Sequence, residues 1–90
     1  MELKISDGER SRYTQIYGVD PLACDGWVTR RMKHELTVQG CDIGSDFDLL
    51  NAGDGQIVEA AATRGGRRVV VQIEKKRVKD ASVFCVCVRS

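Results

Sequence analysis

Apolar and polar positions alternate most regularly in the last third of the chain, residues 57–88. The glycine pair at 65–66 tolerates the positive φ angles that a two-residue type I′ turn requires. A turn at that point brings three pairs of apolar residues opposite one another on one face of a hairpin. The three pairs are Ala62 with Val69, Ala60 with Val71, and Val58 with Ile73. The alternation therefore predicts two antiparallel strands joined at the glycines.

A second turn, at residues 78–81, extends this hairpin to a three-stranded meander. It places Val86 opposite Ile73 and Val88 opposite Val71, so the same face stays apolar across all three strands. A slip of one residue at either turn would bring polar side chains onto this face, which makes the register specific. The predicted core wall consists of Val58, Ala60, Ala62, Val69, Val71, Ile73, Phe84, Val86 and Val88.

The opposite face of the meander is mixed, and we expect it to be half exposed. Its residues are Glu59, Val70, Gln72, Glu74, Val83, Cys85 and Cys87. A short helix, another strand of the chain or a second subunit would each cover it, so homodimerisation is one of the expectations.

Two segments fit both a strand and a helix. Residues 27–39 alternate between a wholly polar face and a face with large apolar side chains, which favours a strand exposed on one side. The large apolar residues of that face are Val28, Met32, Leu36 and Val38. A helix is the alternative there, because Arg, Met, Lys, Glu and Leu favour helices. Residues 55–64 are also predicted as a strand, although their alanines fit a helix.

Two further elements are predicted from shorter patterns. The N-terminus is predicted to form a hairpin, with residues 3–6 and 13–17 as its strands and a turn at Asp7-Gly8. Residues 45–53 are predicted to form a short helix whose Phe47 and Leu50 face the sheet.

Size and composition agree with a single α+β domain over residues 1–90, built mainly from antiparallel β-sheet with one or two short helices. The hydrophobic fraction is 42% and the charged fraction 30%, which are ordinary values for a globular domain. No apolar run approaches the ~20 residues of a membrane-spanning helix, so we expect no membrane association. The N-terminus lacks the regions of a secretory signal, which predicts a cytoplasmic protein with reduced thiols.

Charge is unevenly distributed, although the net charge is only +1. Residues 35–63 contain six acids and no base, whereas residues 64–80 contain seven bases and two acids. The acids predicted to contact a basic partner surface are Asp42, Asp46, Asp48, Asp54 and Glu59. An acidic segment of this kind can compete with nucleic acid for a basic groove, which suggests an inhibitor encoded by a phage or another mobile element.

Nucleic-acid binding is the first alternative function. Its candidate residues are Arg64, Arg67 and Arg68 at the first hairpin tip, with Arg30, Arg31 and Tyr13. Basic residues interleaved with aromatic rings are typical of single-strand binding. Against this, the sequence pI of about 7.7 lies below the value of about 9 that dedicated nucleic-acid modules exceed.

The second alternative, a small enzyme or metal-binding protein, depends on His34 and the cysteines. The four cysteines are Cys24, Cys41, Cys85 and Cys87. Only the last two are close in sequence, and their single intervening residue does not match the spacing of zinc knuckles. Cys41 and His34 would form a dyad without an orienting third group. We therefore predict no catalytic residue, no metal ligand and no cofactor.

These observations together predict a small non-enzymatic protein-binding domain of the inhibitor, immunity or adaptor type. The expected partner is another protein, such as a component of a nucleic-acid-handling complex.

Overall fold

The computed structural model describes residues 1–44 and 47–90, and within these ranges the chain forms five strands and two helices. In chain order these are β1 (Glu2–Ser6), α1 (Asp7–Tyr17), α2 (Trp27–Val38), β2 (Cys41–Asp42), β3 (Ile57–Arg64), β4 (Arg67–Val78) and β5 (Ala81–Arg89). The strands form one antiparallel sheet in the order β1-β5-β4-β3-β2. The predicted α+β class is confirmed. No helix in the described ranges is long and apolar enough to cross a membrane.

The C-terminal meander has the predicted register. All three apolar pairs between β3 and β4 are present, as are the two between β4 and β5. Gly65 and Gly66 have φ angles of 60° and 78°, which a type I′ turn requires at both central residues. The segment at residues 55–64, which also fitted a helix, therefore contains a strand. Seven of the nine predicted core-wall residues are buried, and Val58 and Val88 pack against them half-buried.

Residues 27–38 form a helix, so the strand predicted over residues 27–39 is wrong. Val28, Met32 and Leu36 are buried on one side of α2 and join the core that also contains the meander wall. Their spacing of four satisfies both strand alternation and a helical stripe, which is why the pattern was ambiguous. Arg30 and His34 distinguish the two structures, because a strand would point them toward the core and both are exposed.

The predicted N-terminal hairpin is also wrong, because a helix follows β1 directly. The Ser6 hydroxyl accepts the Glu9 N–H at 3.1 Å, and the Glu9 carboxylate accepts the Ser6 N–H at 3.3 Å. This reciprocal capping box starts α1 and is encoded by the Ser-x-x-Glu pattern of the sequence. Residues 13–17, predicted as a strand, form its last turns. The strand β1 pairs with β5 instead.

The predicted helix at 45–53 is not found in its described part, and Ser45 and Asp46 lie outside the described residues. Residues 47–53 are irregular instead, with a turn at residues 50–51. Phe47 packs against the core as predicted. Leu50 is exposed and Leu49 is fully buried, because a turn does not share the side-chain spacing of a helix.

Candidate functional site

The predicted acidic residues are spread along β3 and do not form one cluster. Asp42 lies in β2 beside one end of β3, Glu59 lies in the middle, and Asp54 lies in the turn that precedes the other end. Asp48 lies in the loop between β2 and β3, where its carboxylate accepts a backbone N–H at 3.2 Å. Asp46 is outside the described residues. Three acids therefore border a single strand.

The acids at the two ends of β3 have basic residues nearby. Asp42 lines the same groove as Arg68. The turn that contains Asp54 is bonded to β4, because the Gly55 N–H donates to the Lys75 carbonyl at 2.7 Å. Both ends of the strand are therefore of mixed charge.

Glu59 has a different environment, in the middle of the strand. Its carboxylate accepts a hydrogen bond of 3.3 Å from the Gln72 side-chain amide. Glu59 is exposed and forms no ion pair with another described residue. Its charge is thus available to a partner.

The edge of β3 carries backbone groups that have no partner among the described residues. Strand β2 pairs only with residues 63–64. Arg64 and Arg67, which flank the turn at 65–66, form a hydrogen-bonded pair. From this pair onward, every second residue of β3 directs its N–H and C=O groups to β4, and the residues between them direct these groups away from it. The N–H and C=O groups of Ile57, Glu59 and Ala61 therefore point away from β4. They bond to no other residue that the structure describes.

A groove of about 480 Å³ borders this edge on the face of the sheet opposite the helices. The side chains of Ala61 and Val70 are exposed apolar groups of its lining. A strand added to β3 would place every second side chain on the same face. The groove therefore lies where side chains of such a strand would fall.

The other edge of the sheet, β1, is protected from strand addition. Its outward-pointing residues include Glu2 and Lys4, and charged side chains on an edge strand oppose edge-to-edge pairing. Residues 57–62 of β3 contain neither Lys nor Pro, and Ile57 is 55% exposed. The absence of Lys and Pro is the sequence signal that indicates the free edge, which was not predicted.

The residues predicted to bind nucleic acid are divided between two places. Exposed side chains at the β3–β4 tip belong, as predicted, to Arg64, Arg67 and Arg68. Arg30 and Arg31 lie in the first half of α2, whose other end leads to the tip. Roughly 10 Å of helix axis separates these two arginines from that end of α2. Arg31 is also paired with Glu35 at 3.2 Å.

Tyr13 belongs to an aromatic cluster between the two helices. Its ring centroid lies 4.5 Å from that of Tyr17 and 6.4 Å from that of Trp27. Its hydroxyl accepts a hydrogen bond of 3.5 Å from Arg30. The neighbouring Ile16, which the sequence analysis did not single out, is 65% exposed. The rings predicted on a hairpin are thus brought together by the turns of α1.

Cys41 and His34 do not form a hydrogen-bonded dyad in the described structure. Cys41 is buried in the core, whereas His34 is exposed on α2, and no hydrogen bond joins them. All four cysteines are free. Within residues 1–44 and 47–90, no three side chains of His, Cys, Asp or Glu are grouped as metal ligands.

The β3 edge combines free backbone groups, an available carboxylate and an apolar groove. These are groups that recognise another chain by hydrogen bonding, charge and packing. Comparison of this chain with protein-family models, with curated proteins and with solved structures gives no match.

Proposed function

We propose that this protein is a non-enzymatic protein-binding domain that captures an extended segment of a partner by adding it as a strand to β3. The observation that carries the proposal is the row of N–H and C=O groups at Ile57, Glu59 and Ala61, which bond to no other residue in the described ranges. An added strand would bond to these groups, and backbone bonding of this kind supplies affinity in strand addition.

Two properties of the neighbouring surface support this proposal. The groove beside Ala61 and Val70 offers apolar contact to alternate side chains of the added strand. The opposite edge carries charged Glu2 and Lys4, whereas two of the three outward positions on β3, Ile57 and Ala61, are apolar, so the two edges of the sheet differ in their suitability for pairing. The domain then acts as an inhibitor or adaptor, because a partner segment held on β3 is withdrawn from its other contacts. A partner that handles nucleic acid fits this scheme through its basic segments.

Proline substitution tests the proposal, because proline removes one N–H group. We expect Ala61→Pro to abolish capture of the partner from an extract of the source cells, since the lost N–H points away from β4. Lys4→Pro is the matched control, because it removes an outward N–H from the other edge of the sheet. The Val86 N–H donates to the Met1 carbonyl, so the odd-numbered residues of β1 bond to β5 and the N–H of Lys4 points away from it. This control is expected to retain the partner.

Circular dichroism of each variant reports whether the sheet is intact. Ile57→Pro provides a second test if Ala61→Pro is unfolded, because proline is tolerated at the first residue of a strand. The proposal would be contradicted if the wild type and a folded β3 variant captured the same set of proteins.

A further inference from the structure

We infer that the segment bound on β3 carries a basic residue opposite Glu59, with apolar residues two positions before and after it. This inference rests on the proposed function and specifies the chemistry of the partner. It follows from three features of the edge: the spacing of its free backbone groups, the side chains beside them and the charge at its centre.

The free backbone groups determine the register of the added strand. Ile57, Glu59 and Ala61 each offer one N–H and one C=O. An antiparallel segment would continue the line of β2, which is antiparallel to β3 and ends opposite Thr63. Its hydrogen-bonded residues would face these three positions. Their side chains would share the outer face of the sheet, because paired residues point to the same side.

The side chains of β3 then determine which residues fit opposite them. Ile57 is 55% exposed, and Ala61 lies in the apolar groove with Val70, so apolar partner residues fit at both positions. Glu59 stands between them without an ion pair to another described residue. Opposite charges facing each other across two strands stabilise the pair, whereas like charges destabilise it.

Charge complementarity favours a basic segment of another protein over a second copy of this chain. Residues 57–62 contain Glu59 as their one charged residue and no base. Two β3 edges paired antiparallel about Glu59 would place one carboxylate opposite the other. Pairing centred on Val58 or Ala60 would leave each carboxylate opposite an apolar residue. A second copy therefore offers this edge no compensating charge.

Three synthetic peptides of roughly nine residues, about the length of a strand, test the inference. In each peptide, Thr alternates with the residues that would lie on the outer face of the sheet. The central residue is Lys, Gln or Glu, and Val stands two positions before it and two positions after it. Fluorescence anisotropy measures their dissociation constants for the wild type, Glu59→Lys, Ala61→Pro and Lys4→Pro. Amide hydrogen exchange of Ile57, Glu59 and Ala61 reports whether the peptide occupies the edge.

We expect the wild type to bind the Lys peptide about fivefold more tightly than the Glu peptide, and Glu59→Lys to reverse the order. Binding is expected to slow exchange of the three amides, to be lost in Ala61→Pro and to remain in Lys4→Pro. The same preference for Lys in the wild type and in Glu59→Lys would overturn the inference.

The outcomes separate this inference from the proposed function. Equal binding of all three peptides, lost in Ala61→Pro, would refute the charge preference and leave strand addition standing. No binding of any peptide, or binding that does not differ between Ala61→Pro and Lys4→Pro, would refute both. A concentration-dependent dimer that protects the same amides without peptide would show that a second copy occupies the edge, which also contradicts the inference.

Discussion

Asp20 fixes helix α1 to the body of the domain. Its carboxylate accepts hydrogen bonds from the Arg10 guanidinium of α1 at 2.9 and 3.2 Å, and one from the Leu22 N–H at 2.9 Å. Leu22 is fully buried, whereas α1 buries none of its own residues. The contact therefore links an exposed helix to the core.

The pKa of Asp20 lies below its ordinary value of 3.8. Burial raises this pKa, but the hydrogen bonds from Arg10 and from the Leu22 N–H lower it by more. A carboxyl group whose pKa is lower in the folded state stabilises the fold above its unfolded-state pKa. That contribution is lost as the pH falls through the lowered value.

We expect Asp20→Asn to reduce the free energy of unfolding by about 1 kcal/mol at neutral pH. The difference from the wild type should shrink as the pH falls through the lowered pKa of Asp20, because asparagine resembles the protonated acid and still accepts the Leu22 N–H. Urea unfolding at several pH values measures it. Asp25→Asn, at an exposed site of the same turn, is the control and should have no effect. A difference that does not change with pH would contradict the role assigned to the charge.

At the scale of secondary-structure elements, local pairing was predictable and distant pairing was not. The meander could be predicted because its turns are two residues long and its register follows from which side chains are apolar. Strand β1 pairs with β5 from the other end of the chain, and no local pattern indicates that contact. The capping box at Ser6 and Glu9 was present in the sequence, but the Asp7-Gly8 pair was interpreted as a turn.

The residue composition of the candidate site could be predicted from the sequence, but its geometry could not. The acids were recognised from the absence of bases between residues 35 and 63. Their arrangement along β3 depends on where β2 and its following loop lie, which is a tertiary property. The predicted register shows that the backbone groups of Ile57 and Ala61 point away from β4. Whether another strand pairs with them depends on which strand lies at the edge of the sheet.

The buried face of α2 leads to a prediction at the scale of this element. We expect Leu36→Ala to reduce the free energy of unfolding by about 3 kcal/mol, because it removes buried methyl groups and leaves a cavity. His34→Ala should change the free energy by no more than about 0.5 kcal/mol, since His34 is exposed on the helix. A strand would direct both side chains to the core. Equal losses for the two variants in urea unfolding would therefore contradict the helix.

At the scale of the whole molecule, the charged groups serve different purposes. Near the β4–β5 turn, Arg77 bonds to Asp7 through both of its terminal nitrogens. Lys75 donates to the Ala52 carbonyl at 3.0 Å. These two bases bond to other segments of the chain, whereas the three arginines of the β3–β4 tip have no ion pair with a described residue. The three arginines of this tip are therefore available for phosphate contact, whereas the exposed Arg12 and Arg30 lie at the aromatic cluster.

This separation leads to a prediction for the nucleic-acid alternative. We expect a short single-stranded oligonucleotide to bind weakly at low salt and to be released at about 0.15 M salt, because binding through few phosphate contacts weakens steeply with salt. Quenching of Trp27, the single tryptophan, reports whether bases stack on the aromatic cluster.

The double variant Arg67→Ala and Arg68→Ala should remove the remaining binding, whereas Arg31→Ala, which breaks an existing ion pair with Glu35, should have little effect. Tight binding at about 0.15 M salt with quenching of Trp27 would instead favour nucleic acid as the partner, because the tip and the cluster would then act on one strand.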